Sequence, residues 1–389
     1  MQSSKYIPLS VPNLSLSILE NIRETIETGW VSTGGRFIRE FEEKIANYVG
    51  VKRAVSCQSG TAGLHLALKV LGIGPCDEVI VPTVTFIASV NPVRYVNAEP
   101  VFMDCDENLN MDTSKLEEFL DEQCHYIDGK VINKKTGKQI KAIVVVHVFG
   151  NPANIEKLME IKEKYKLWLV EDATEALGSY YLKGKYAGKH CGTIGDIGVY
   201  SFNANKIITT GGGGMIVSKH EELLEEIAFL SIQAKTDPLY YIHNDIGYNY
   251  RMTNIQAAFG VEQIERIEDF IQTKISNYNL YKEGLKDIEG ITLLPFREDT
   301  RSNHWFYSII IDEKKYGMDR DELLARLNNC GIQTRPLWGL IHKQKPYLGA
   351  LSYRIEKALL YENALLNLPC STNLTEEDIS FVIKHLRKN

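Results

Sequence analysis

What this 389-residue chain lacks narrows the field before any motif is read. No apolar run approaches the ~20 residues that a membrane helix needs. The longest, residues 142–146 with Val148 and Phe149, has the length of a strand. The opening residues, MQSSKYIPLSVPNLS, hold no cleavable apolar core, so a cytoplasmic protein without membrane contact is expected. There is no C-x-x-C pair, and the 7 cysteines (57, 76, 105, 124, 191, 330 and 370) are scattered and odd in number. This excludes a disulfide framework and a zinc ribbon, and no His/Cys cluster calls for a metal. Nor is positive charge in excess. With 44 Lys+Arg against 50 Asp+Glu the net charge is −6, the wrong sign for holding a nucleic-acid polymer. Familiar catalytic signatures are missing as well: G-x-x-x-x-G-K-S/T, G-x-G-x-x-G after the first strand, H-E-x-x-H and G-x-S-x-G.

What is present is alternation. Short apolar runs at 54–55, 78–81, 100–102, 142–148, 167–170, 197–201 and 215–217 take turns with helical stretches at 63–71, 86–96, 115–122, 155–165 and 221–230. That pattern predicts an α/β fold whose mainly parallel sheet is wrapped by helices. Two helices, 14–29 and 37–48, precede it, and residues 124–141, polar with Asp-Gly and Thr-Gly turn signals, read as an inserted hairpin. Past residue 252 the pattern changes to one long helix, 254–285, then strands at 291–294 and 304–311 and helices at 320–330 and 376–387. The division expected is a large domain over 1–250 and a smaller α+β domain over 251–389.

Polar residues placed just after the apolar runs are the candidates for chemistry, because open parallel sheets bind ligands there. Ser59-Gly60-Thr61 opens a helix and exposes backbone amides suited to a phosphate, although a plain helix cap reads the same way. Asp172 ends an apolar run, where a carboxylate needs a cation such as a pyridinium, an Arg, or a helix start to cap. Lys206 follows another run in an apolar, small-residue context ahead of Gly211–Gly214. It is either a solvated surface charge or an amine lowered by burial into a Schiff-base nucleophile. Phe86 is a core residue or a flat face for an aromatic ring, and His147 either lines the same pocket or is a satisfied core histidine. Taken together and in this order, the candidates describe a pyridoxal-phosphate site.

The chain also resembles, over nearly its whole length, the DegT/DnrJ/StrS nucleotide-sugar aminotransferases, which are fold type I pyridoxal-phosphate enzymes. The resemblance rests on Gly29-Trp30-Val31-Ser32-Thr33-Gly34, Ser59-Gly60-Thr61-Ala62, Glu78-Val79-Ile80-Val81-Pro82 and Glu171-Asp172-Ala173. It rests further on Ser201-Phe202-x-x-x-Lys206 and Gly247-x-Asn249-x-Arg251-Met252-x-x-Ile255-Gln256-Ala257-Ala258. It implies a seven-stranded, mainly parallel sheet in the large domain. It also implies pyridoxal 5'-phosphate carried covalently on Lys206, with pyridoxamine 5'-phosphate as the intermediate. Thr61, Ala62 and Ser201 would hold the phosphate, Phe86 the ring face, Asp172 the ring nitrogen and Glu175 the phenolic oxygen. Asn249 would come from the partner subunit of a homodimer, and Trp30, Ser32, Thr33, His304, Arg335 and His342 would meet the sugar or the amino donor.

Two positions depart from the common pattern: Gly212, where Glu is usual, and Glu175, where Gln is usual. With the 124–141 insert and the run from Ser201 to Thr210, they resemble the LegC branch. That branch moves the amino group of L-glutamate to C4 of a UDP-linked 2-acetamido-2,6-dideoxy-4-keto-hexose on legionaminic-acid-type routes. The alternatives are a GDP-4-keto-6-deoxymannose transaminase (a perosamine synthase), an 8-amino-octulosonate transaminase, or a pyridoxal-phosphate-binding regulator without turnover.

Overall fold

The computed structural model describes residues 5–387, so the first four and last two residues of the expected domains lie outside the described residues. Its centre is a ten-stranded sheet. In chain order the first strands are β1 (Ala54–Cys57), β2 (Asp77–Pro82), β3 (Glu99–Met103), β4 (Cys124–Ile127), β5 (Lys130–Asn133), β6 (Gln139–Val146) and β7 (Trp168–Asp172). A short strand outside this sheet, β8 (Tyr180–Tyr181), precedes β9 (Ile197–Ser201) and β10 (Gly214–Ser218). The spatial order β1-β10-β9-β7-β6-β2-β3 contains the seven strands expected. From β9 to β3 all neighbours are parallel, and β10 runs antiparallel to both β9 and β1. The inserted hairpin is β4–β5, and it extends the sheet because β5 pairs with the first residues of β6.

The helices in order are α1 (Ile18–Glu27), α2 (Arg36–Val49), α3 (Gly60–Val70), α4 (Asn91–Tyr95), α5 (Thr113–Gln123), α6 (Ile155–Tyr165), α7 (Glu221–Ser231), α8 (Asn254–Glu265), α9 (Ile267–Leu285), α10 (Glu313–Tyr316), α11 (Arg320–Asn329), α12 (Lys357–Ala364) and α13 (Glu376–Leu386). Successive strand residues point to opposite faces, so the continuous apolar runs divide between two layers. Ile80, Val101, Ile143, Val145 and Leu169 pack with α2, α5, α6 and α8. Val79, Val81, Phe102, Val144 and Val170 pack with α3, α4 and α7 on the other side.

The remaining strands are β11 (Lys235–Asp237), β12 (Ile242–His243), β13 (Ile291–Leu293), β14 (Thr300–Arg301), β15 (Tyr307–Ile311), β16 (Arg335–Pro336), β17 (Leu351–Tyr353) and β18 (Leu365–Leu368). Four of them form a second, antiparallel sheet, β13-β15-β18-β16, over its own core, while β11 and β12 make a separate hairpin. β17 instead returns to the large sheet and adds a parallel edge beside β3.

One expectation needs correction. The single helix expected over 254–285 is broken at Arg266, whose φ of −104° and ψ of 1° are not helical. Its amide closes on Gln263 O at 3.2 Å, a tightened turn between α8 and α9. Side chains from beyond residue 250 pack into both cores. Ala257, Ala258, Val261 and Ile264 of α8 belong to the large core, and α9 carries Phe270 into that core and Tyr281 into the small one. At the other end of the chain, Ile7 is buried in the small core and bridges to Ile332. Among the described residues, no helix is long and apolar enough to cross a membrane, and no cluster of side chains is arranged to hold a metal.

Candidate active site

The carboxyl ends of β7 and β9 and the start of α3 converge on a cavity of about 390 Å³. Ser59 caps α3 in an extended conformation, and its Oγ accepts from Ala62 N at 3.1 Å. The Ala62 amide is thereby already bonded within the chain, while Gly60 and Thr61, ahead of it, line the cavity. An open first turn at the positive end of an eleven-residue helix is a cradle for an anion. Gly60 makes the convergence possible: a Cβ there would lie 2.8 Å from Thr174 Cγ2 and 3.0 Å from Ser201 Cβ.

Asp172 ends β7, is 1% exposed, and accepts from Thr174 N at 3.1 Å through Oδ1, a bond that fixes its carboxylate toward the cavity wall. Beside it, Glu171 points into the protein and accepts from the amides of Gly192, Ile194 and Gly195. Burial alone would raise its pKa, but His147 and these amides outweigh burial and hold it low. His147 is a satisfied core histidine. Its Nδ1 accepts from Ala153 N and its Nε2 lies 3.0 Å from Glu171, and it does not line the cavity.

Lys206 sits in the loop between β9 and β10. Its Nζ lies 3.7 Å from Glu175 Oε1 and 4.2 Å from the centre of the Trp305 ring. Burial pushes its amine below the ordinary lysine range against the pull of Glu175 and Asp172. Glu175, also buried, is pushed up to about 7 by desolvation, which Lys206 and the Phe149 amide only partly offset. Phe86 is 53% exposed and offers an open ring face on the same cavity, and Ser201, Gly212 and Gly213 complete this side.

Of the sequence-derived residues, the structure therefore gathers Thr61, Phe86, Asp172, Glu175, Ser201 and Lys206 around one space. It does not gather the others within this chain. Trp30, 61% exposed, borders a separate groove with Asn254, and Ser32 and Thr33 are exposed nearby. Asn249 is exposed and bridges to Ile232. Arg335 is exposed on β16, and His342 is held by Thr83 Oγ1 at 2.6 Å.

His304 is turned away by its left-handed backbone (φ +53°) and packs 4.0 Å from the Phe296 ring. Its neighbour Trp305 takes the cavity position, held by a 2.6 Å bond from Nε1 to Asn205 O. Trp338 joins Trp305 there. Sequence reasoning missed both, although the chain has only 4 tryptophans and each of these stands within three residues of a candidate it did select.

A phosphate cradle, a buried carboxylate for a ring cation, a flat aromatic face and a buried amine form the donor set that pyridoxal 5'-phosphate requires. The comparisons with known proteins agree. GDP-perosamine synthase of Caulobacter vibrioides is 37% identical over 384 residues, 98% of this chain and 97% of that protein. GDP-perosamine synthase of Escherichia coli O157:H7 is 36% identical, over 99% of this chain and 98% of that one. Among solved structures, Helicobacter pylori PseC, an aminotransferase involved in the biosynthesis of pseudoaminic acid, superposes with a TM-score of 0.87. It is 26% identical, and 98% of each chain is covered. With a family model matching residues 12–387, this chain belongs to the DegT/DnrJ/EryC1/StrS aminotransferase family, fold type I sugar aminotransferases that use pyridoxal phosphate.

Proposed function

We propose that the protein transfers the amino group of L-glutamate to the C4 keto carbon of a nucleotide-linked 4-keto-6-deoxy sugar. The observation that carries this reading is the meeting of Lys206, Asp172 and the open start of α3 in one cavity. Gly60, Thr61 and Ser201 would hold the phosphate, Phe86 would lie against the ring, and Lys206 would hold the cofactor covalently. When bound, pyridoxal phosphate supplies an electron sink that stabilises a carbanion at the amino-acid Cα. Asp172 keeps a proton on the ring nitrogen, its charge worth more in this buried setting than in water. Lys206, as a neutral amine, would take the Cα proton of glutamate and, in the second half of the reaction, would deliver a proton to C4 of the sugar. Trp305 and Trp338 wall off one side and exclude water from the proton path.

The sugar is a UDP-linked 2-acetamido-2,6-dideoxy-4-keto-hexose. This choice rests on Glu175, Gly212 and the Ser201-to-Thr210 run, which resemble the LegC branch. A second reading, GDP-4-keto-6-deoxymannose, is favoured by the similarity to the two perosamine synthases. The working unit is a homodimer, with Asn249 of the partner subunit completing the phosphate site. Leu239, Tyr240, Tyr241 and Ile246, all at least 70% exposed on and just after the β11–β12 hairpin, support an interface there.

A panel of UDP-, GDP- and dTDP-linked keto sugars incubated with glutamate, with products identified by mass and NMR, tests the assignment. Amination of the UDP sugar is expected. Turnover of the GDP sugar alone would replace the first reading with the second.

A further inference from the structure

Glu175 is 4% exposed, and its two oxygens have different partners. Oε2 accepts from Phe149 N at 2.8 Å, an amide aimed at it because Phe149 takes the left-handed conformation (φ +56°, ψ 22°). Oε1 faces Lys206 Nζ at 3.7 Å, a rotamer adjustment short of a hydrogen bond. Asn303 Nδ2 donates to Glu175 O at 2.8 Å and fixes the backbone from the other side. The charged groups facing this carboxyl are Lys206 and Asp172. The two histidines on the neighbouring segments are engaged elsewhere, His147 with Glu171 and His304 with the Phe296 ring.

Burial acts on the pair in one direction. It disfavours the carboxylate and the ammonium alike, raising one affinity for the proton and lowering the other. Lys206 has to be a neutral amine to act on a carbonyl or on a Cα proton. With a carboxyl group held opposite Nζ, the proton has somewhere to go without crossing solvent.

We infer that Glu175 and Lys206 share one proton, which rests on Glu175 Oε1 whenever the lysine amine is covalently engaged or acting as a base. In the transfer an N–H bond of the Lys206 ammonium breaks and the nitrogen keeps the electron pair. An O–H bond forms at Oε1, an ion pair becomes two neutral groups, and no further reactant is needed. Gln, the usual residue here in the family the sequence resembles, has the same shape and cannot take that proton. The inference rests on Lys206 as the cofactor lysine and is independent of which sugar is used.

The test is infrared difference spectroscopy of holoenzyme against apoenzyme at neutral pH, in wild type and Glu175→Gln, with [13C]glutamate-labelled protein to assign the band. The wild-type holoenzyme should gain a protonated-carboxyl band that shifts with the label and disappears in Glu175→Gln. That variant should also consume L-glutamate at least tenfold more slowly while keeping the cofactor absorbance. The proposal is overturned if wild type shows no such band, or if the same band persists in Glu175→Gln. If the absorbance of the covalent form survives Lys206→Ala, the assignment of Lys206 itself fails, and that result is separate from failure of the proton-sharing idea.

Discussion

Lys206 and Asp172 do opposite electrostatic work in one cavity, so their substitutions should fail differently. If Lys206 has the roles proposed above, Lys206→Ala removes both the covalent anchor and the base, and glutamate-dependent release of 2-oxoglutarate should fall by about 10²–10⁴-fold or more. The cofactor absorbance of the covalent form should vanish with it. Asp172→Asn retains the anchor and should keep that absorbance, with kcat lower by about 10²–10³-fold from the lost charge. Both residues were legible in the sequence because a charged group at the end of a buried strand, or in an apolar loop just beyond one, is costly unless something uses it. Trp305 was not, because the choice between it and His304 turns on a single left-handed φ at His304, which the pattern of residue types does not encode. Arg335 and His342 came with the family resemblance, and the fold places them outside the cavity lining of this chain.

At the scale of elements, the approach of α3 to the ends of β7 and β9 depends on one missing methyl group. Gly60→Ala would press against Thr174 and Ser201, and it should weaken cofactor retention at least tenfold, measured by equilibrium dialysis. Gly260 plays the same part between α8 and α2, where a Cβ would lie 2.6 Å from the Phe41 ring. Gly260→Ala should cost about 1–3 kcal/mol of stability by overpacking, read from the denaturant midpoint, with the cofactor site unchanged. The seven central strands were readable because each is a short apolar run bounded by helical stretches or glycine-containing loops. The break at Arg266 was not, since helical periodicity continues through it and only the non-helical backbone angles at that residue reveal it.

For the whole molecule, acid titration sets buried groups against one another. Burial pushes His190 and His304 each down to about 4, so the unfolded chain takes up their protons first and stability falls as pH drops below about 6.5. Glu175, raised to about 7, and Asp106, raised to about 6, bind protons sooner when folded and push stability the other way over that window. The net curve between pH 6.5 and 4.5 should therefore be shallow. His304→Phe should tilt it, gaining up to about 1.4 kcal/mol relative to wild type for each pH unit lost, measured by denaturant titration at several pH values.

The edge strand β17 carries a further consequence, for synthesis. It pairs Leu351 with Val101, residues far apart in the chain, so a nascent polypeptide exposes the β3 edge until β17 has emerged. An uncovered parallel edge is a template for other chains. The cell's exposure to this protein's aggregation is thus set by how quickly the stretch between β3 and β17 is translated, and stop codons placed just before residue 351 should be far more toxic than ones placed just after β17.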